Sequence, residues 1–269
     1  MTALALTNVA ADPEEPPLLV VEGLCKSFGT HVACRDVSFA LWPGEVLGVV
    51  GESGSGKTTL LNCVSGWLRP DAGSIRFRLR DGNIAELFEL SEPMRRMLMR
   101  TDWGIVHQNP RDGLRLDVSA GANIGERLIA VGARHYGEIR GAARDWLAKV
   151  EIALDRLDDR PSSFSGGMQQ RLQIARNLVS QPRLVFMDEP TGGLDVSVQA
   201  RLLDLLRGLC TELHLAAVVV THDLGVARLL AHRLIVMRRG EAVESGLTDQ
   251  VLDDPQQPYT QLLVSSILR

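Results

Sequence analysis

The chain has 269 residues, is 45% hydrophobic but only 4% aromatic, and carries a formal net charge of −4. That length suits one large α/β domain, or one domain with a smaller lobe, and the composition is that of a folded globular protein rather than a disordered one. The charge offers no basic footprint for nucleic acid, and no apolar run approaches the roughly 20 residues needed to cross a bilayer, so direct membrane insertion is not expected.

The first 17 residues, MTALALTNVAADPEEPP, lack a basic opening and turn acidic and proline-rich, which predicts a flexible extension rather than a secretory signal. Ordered structure is expected from about residue 18, where LLVVEGLCKSF reads as a strand. VSFALWPGEVLGVV follows, with Pro43-Gly44 as a turn between two apolar runs. VLGVV is short, apolar and not alternating, as a strand covered on both faces should be. KTTLLNCVSGWL then has helical spacing and should stop near Arg69-Pro70.

Alternation in SIRFRLR predicts hairpin strands between 71 and 90. A helical lobe is expected over about 91–180. SEPMRRMLMR would open it from a Ser91 cap, and 120–153 would be mostly helical with a break near Gly132–Gly137. MRRMLMR is either a solvated helix face or a docking face. Beyond the lobe, RLVFMD and LAAVVVTHD read as two buried strands and RLIVMRRGEAVESG as a closing hairpin. The four cysteines, Cys25, Cys34, Cys63 and Cys210, have no CxxC spacing and predict reduced, mostly buried thiols with no metal–sulfur site.

GESGSGKTTL, between a strand and a helix, is the stretch that carries chemistry. Gly51-x-x-x-x-Gly56-Lys57-Thr58 matches the P-loop pattern. Glycines let successive backbone N–H groups turn toward a phosphate without Cβ clashes, and the following helix adds the positive end of its dipole. Lys57 would bridge the β- and γ-phosphates of a nucleoside triphosphate, and the Thr58 hydroxyl would ligate Mg²⁺. Three downstream features are ambiguous singly. Ser165 in FSGGMQQR could simply cap a helix. Asp188 and Glu189 in RLVFMDEP could be an acidic strand end before Pro190, or a Mg²⁺-binding and a water-orienting carboxylate. His222, after LAAVVV, could be an ordinary strand-end histidine or a γ-phosphate sensor.

In this order, from about Leu18 onward, the motifs resemble those of ATP-binding cassette (ABC) ATPases. The resemblance implies an α/β fold: an ABC-type P-loop NTPase core over 18–250 with an antiparallel β subdomain and an inserted helical subdomain, followed by a C-terminal tail, 251–269. It implies ATP and Mg²⁺ as cofactors. Phe28 would stack on adenine. Gly51, Glu52, Ser53, Gly54, Ser55, Gly56, Lys57, Thr58 and Thr59 would form the phosphate loop, and Gln108 in VHQNP would sense Mg²⁺ and a partner. Ser165, Gly166, Gly167, Met168 and Gln169 would form the signature that closes over ATP in a second cassette, so a homodimer or a heterodimer with a related cassette is implied. Asp188 would bind metal, Glu189 would be the catalytic carboxylate, Asp195 would lie in the crossing loop, and His222 would be the switch histidine. The crossing loop departs from the family's usual Ser-Ala-Leu-Asp, reading Gly192-Gly193-Leu194-Asp195, and Phe28 replaces the commoner tyrosine.

The ending DDPQQPYTQLL resembles the C-terminal segment of dipeptide, oligopeptide and nickel importer ATPases, which implies docking on a permease beside Gln108. A narrower resemblance implies something else. HQNPRDGLRLDVSAGANIGERLIAVGARHYGEIR, with the stretch from the signature through LLDLLRGL, is similar to the cassette ATPases of bacterial carbon–phosphorus lyase systems. That implies a cytoplasmic ATPase docking on soluble lyase core subunits in phosphonate catabolism. The alternative is an importer subunit peripheral to the inner membrane, and a third reading is a nucleotide-gated assembly factor.

Overall fold

The computed structural model describes residues 15–266. Within them, residues 15–95 together with 210–266 form one compact unit, and Arg96–Leu209 the other.

In the first unit β1 (Leu19–Phe28) and β2 (His31–Leu41) form an antiparallel hairpin, joined by β4 (Ala72–Arg78) and β5 (Ile84–Glu86) in the sheet order β2-β1-β4-β5. Between β2 and β4 come β3 (Val46–Val50) and the helix α1 (Lys57–Val64). β3 is buried along its length and runs parallel to β8 (Ala216–Val220) and β9 (Arg233–Arg238), while β10 (Glu241–Leu247) pairs antiparallel with β9. VLGVV and AAVVV are apolar throughout because neither strand has a solvent face. A buried ion pair, Glu45 to Arg233 at 2.9 Å, braces the start of β3 against β9, and Glu45 also accepts from the Trp42 N–H. The chain closes through helices α8 (Leu224–Leu230), α9 (Thr248–Asp253) and α10 (Pro258–Ser265).

In the second unit β6 (Trp103–Val106) lies parallel to β7 (Leu184–Asp188), with Trp103 edge-on to Phe186 at 5.3 Å between ring centroids. Helices α2 (Glu92–Thr101), α3 (Pro110–Gly113), α4 (Ala120–Ala130), α5 (Tyr136–Lys149), α6 (Gly166–Leu178) and α7 (Val196–Glu212) account for most of the rest of this stretch; α2 begins, and α7 ends, just outside it. Buried Asn123 in α4 exchanges hydrogen bonds with both backbone groups of Arg115, which holds the loop ahead of the helix.

The α/β class, with its antiparallel sheet and helical portion, is as expected. Two local expectations fail. The helix after the P-loop ends at Val64 rather than near Arg69, because the Asn62 carbonyl accepts from both Trp67 and Leu68 and turns the chain back early. The stretch expected to form a helical lobe, about 91–180, also holds β6, whose four residues are too short to show a period. Much of 1–17 lies outside the described residues. Among the described residues no helix is long and apolar enough to cross a membrane.

Candidate active site

In the first unit, the turn between β3 and α1 demands glycine at both ends, Gly51 and Gly56. Gly56 caps α1 at φ 105, and a Cβ there would lie 2.0 Å from the Ala33 carbonyl oxygen. Gly51 is as constrained, at φ 147 with the Met237 carbonyl oxygen 2.2 Å from any Cβ. The loop is therefore pressed against β2 and β9, and glycine is what lets its backbone come so close. The turn after β9 grips it further, the Gly240 N–H donating to the Ser55 carbonyl at 2.9 Å. Inside the loop the Lys57 ammonium donates to the carbonyls of Gly51 (2.8 Å) and Glu52 (2.9 Å). The Ser55 hydroxyl is buried with no protein partner. A buried cation and an orphan hydroxyl beside a helix N-terminus fit a phosphate group.

Phe28 ends β1 with half its surface exposed, and β2 passes the loop at Ala33 and Cys34, so the ring is available for stacking on a base. Thr58 is exposed at the start of α1. His222 is exposed after β8, next to Asp223, whose carboxylate caps α8 by accepting from Gly225 and Val226. The cysteines are free thiols. Burial pushes Cys34 up to about 12 and Cys63 up to about 11, so neither supplies a thiolate.

In the second unit, buried β7 ends at Asp188, and Glu189 follows in the left-handed region at φ 44. That conformation is strained for a residue with a Cβ, of the kind found where a side chain must be aimed. The turn is closed by the Gly192 N–H donating to the Glu189 carbonyl at 2.8 Å, and Gln108 lies against it, its Nε2 only 3.2 Å from where a Gly192 Cβ would stand. Gly193 adopts φ 75 in open space, so backbone conformation rather than crowding selects glycine there.

Ser165 caps α6, its hydroxyl accepting from the Met168 N–H at 3.3 Å. Ser165 and Gly166 are exposed, while Gly167 is buried against α7, where a Cβ would meet Val198 at 2.5 Å. Gln169 turns inward, its amide donating to the carbonyls of Pro161 and Phe164. Asp195 caps α7 by accepting from the Val198 N–H and the Ser197 hydroxyl, which hold its carboxyl below the usual range.

Sequence reasoning passed over the inward face of α6. Gln173 accepts from the His107 N–H at 2.8 Å and donates back to the His107 carbonyl at 3.1 Å. Gln170 donates to the Pro190 carbonyl at 2.9 Å, and Asn177 accepts from Ile105. These amides tie the signature helix to the chain that leads into Gln108 and to the turn after Glu189. Their spacing, i, i+3 and i+7 on one face, was the available signal. Burial also lowers the His107 pKa, so the ring favours its neutral form.

A glycine loop at a helix N-terminus, a strand-end carboxylate pair and a second open helix N-terminus are the parts of a P-loop nucleotide hydrolase. A family profile described as ABC transporter matches residues 34–192, and the chain belongs to the ATP-binding cassette family. It is an ATPase. It is 67% identical, over 94% of its length and 98% of the relative's, to the Escherichia coli (strain K12) protein provisionally described as phosphonates utilization ATP-binding protein PhnK. A peptide import ATP-binding protein of Brucella abortus (strain 2308), also provisionally described, is 38% identical over 94% of this chain and 78% of the relative. Among solved structures, the dimeric, post-hydrolysis ATP-binding cassette MJ0796 bound to ADP and Pi is 29% identical with a TM-score of 0.75, over 86% of this chain and 98% of that one. CbiO1 from Clostridium perfringens, part of the ABC transporter complex cbiONQ, is 27% identical with a TM-score of 0.78, over 90% and 92%.

Proposed function

We propose that this chain is the cytoplasmic ATPase subunit of a phosphonate-degrading system, docking on carbon–phosphorus lyase core subunits rather than on a permease. The observation that carries the reading is the 67% identity to PhnK across nearly the full length of both chains, against 38% for the peptide import protein. A tagged pull-down from phosphate-starved cells tests it. Soluble lyase subunits without a polytopic protein are expected, and a permease instead would return the chain to the importers, the reading that the peptide import relatives favour.

In the proposed cycle Phe28 stacks on adenine, the loop from Gly51 to Thr59 cradles the phosphates, and the Lys57 ammonium leaves the Gly51 and Glu52 carbonyls for the β- and γ-phosphate oxygens. The Ser55 hydroxyl gains the partner it lacks. The donor set also suits Mg²⁺. Thr58, Gln108 and Asp188 would hold the ion, their oxygen donors suiting a hard cation. When bound, Mg²⁺ neutralises charge developing on the transferred group. Glu189 orients the attacking water and His222 holds the γ-phosphate.

Ser165 and the N–H groups behind Gly166 and Gly167 close over ATP held by a second cassette, as a homodimer or with a related subunit, and Asp195 lies in the loop that crosses between them. Gln169 acts from behind, holding the chain that leads into the signature. Glu189→Gln keeps the shape and removes the charge. ATP affinity is expected to remain while turnover falls by about 10²-fold or more, and unchanged steady-state hydrolysis would overturn the assignment.

A further inference from the structure

We propose that the C-terminal helix α10 belongs to the nucleotide-binding apparatus: Tyr259 is a positioning residue that fixes the opening of the P-loop and thereby sets the affinity for ATP. The phenol is buried, and its oxygen accepts from the Glu52 N–H at 3.1 Å. Glu52 is the residue next to Gly51, and the peptide that joins them is held on both sides, the Glu52 N–H by Tyr259 and the Gly51 carbonyl by Lys57. The proposal rests on the ATPase reading in one respect, that Lys57 turns to a phosphate when ATP binds. The Gly51 carbonyl then loses the ammonium, and Tyr259 is the side chain that still holds that peptide. Its bond also keeps the Glu52 N–H turned away from the phosphates, so that the N–H groups further along the loop line the cradle.

Residues from three parts of the chain set the phenol in place. The Glu244 carboxylate in β10 accepts from the N–H groups of Gln256 (2.7 Å) and Gln257 (3.1 Å), which forms the turn into α10. Pro258 starts the helix with a fixed φ and no N–H to satisfy. The Arg238 guanidinium lies over the Tyr259 ring, 4.8 Å from its centroid, an attraction that favours one ring position. Beside the phenol is a cavity of about 130 Å³, bounded by Ser53, Ser55, Arg239 and Leu262 among others. On this side the loop has room to shift toward α10, and here a directional bond, rather than close packing, holds it.

The test uses the full chain and its ATPase activity, with ATP affinity from equilibrium titration. Tyr259→Phe removes one oxygen and keeps the ring. Its KM and Kd for ATP are expected to rise about 3- to 10-fold, as for loss of one hydrogen bond, with kcat within about 2-fold of the parent. Glu244→Ala is expected to shift affinity in the same direction, Glu244→Gln to recover part of it by keeping one acceptor oxygen, and the pair Tyr259→Phe with Glu244→Ala to add little beyond either alone. A purely structural role would instead lower thermal stability without nucleotide and leave ATP affinity untouched. Unchanged affinity in Tyr259→Phe, with an active parent chain, overturns this proposal alone. A parent chain that neither binds nor hydrolyses ATP overturns the ATPase reading with it.

Discussion

Replacing Gln173 by leucine tests whether the amide face of α6 governs the chain around Gln108. The side chain is fully buried and makes three hydrogen bonds: one from the His107 N–H, one to the His107 carbonyl, and one to Gln170 Oε1 at 3.1 Å. Leucine fills similar space but leaves the His107 N–H and Gln170 Oε1 without those partners, while the His107 carbonyl keeps a donor in Gln170 Nε2 at 3.3 Å. Two orphaned groups cost about 2–4 kcal/mol together, and the added apolar surface offsets about 1 kcal/mol. The expected net loss is about 1–3 kcal/mol, read as a lower urea midpoint at unchanged slope. Because His107 immediately precedes Gln108, turnover should also fall by about 10-fold through misplacement of the loop. Full stability would refute the energetic argument. Lost stability with turnover equal to the parent's would refute the link to catalysis.

Two further outcomes are expected. Gly56→Ala forces a Cβ to within 2.0 Å of the Ala33 carbonyl oxygen at φ 105, and neither backbone can yield cheaply. A stability loss of about 3 kcal/mol or more is expected, together with loss of ATP binding in titration, and a stable variant that binds ATP would refute the loop geometry. Burial lowers the pKa of both His107 and His232 from 6.5, and His232 Nδ1 accepts from the Val46 N–H at 2.9 Å, a bond that only the neutral ring can make. The unfolded chain thus binds protons more readily than the folded one, so stability present above about pH 6.5 is lost as pH falls through the depressed values. His232→Gln should flatten the stability-versus-pH curve below 6.5, and an unchanged slope would count against the histidine.

What could be read from the chain was whatever is local. VLGVV followed by a glycine loop, and a serine opening GGMQQR, each announce their structure within a few residues, and both appear as expected. The ends of elements were harder. The stop of α1 at Val64 is made by Gly66, left-handed at φ 79, which lets the Asn62 carbonyl recapture the chain, although apolar Trp67 and Leu68 beyond it continue the helical spacing. The helix at Pro258 was not anticipated from DDPQQPYTQLL either. The turn into it is made by Glu244, a dozen residues earlier on β10.

The amides of α6 show why a site can be visible while its support is not. Gln170, Gln173 and Asn177 occupy positions that helical periodicity assigns to the core, and by residue type alone they look like solvated surface. The chain on which α6 packs resolves the conflict. After β6 the backbone leaves sheet pairing at His107, and after β7 it turns through Glu189 in a left-handed conformation before Pro190. Such irregular backbone leaves N–H and C=O groups that no strand can satisfy, and buried leucines could not satisfy them either. Amides can do so in both directions, which is how Gln173 serves both groups of His107 at once. The polar interior of α6 is therefore a consequence of the functional loops it carries, and a core made apolar at these positions would have to give up the conformation of Gln108 or of Glu189.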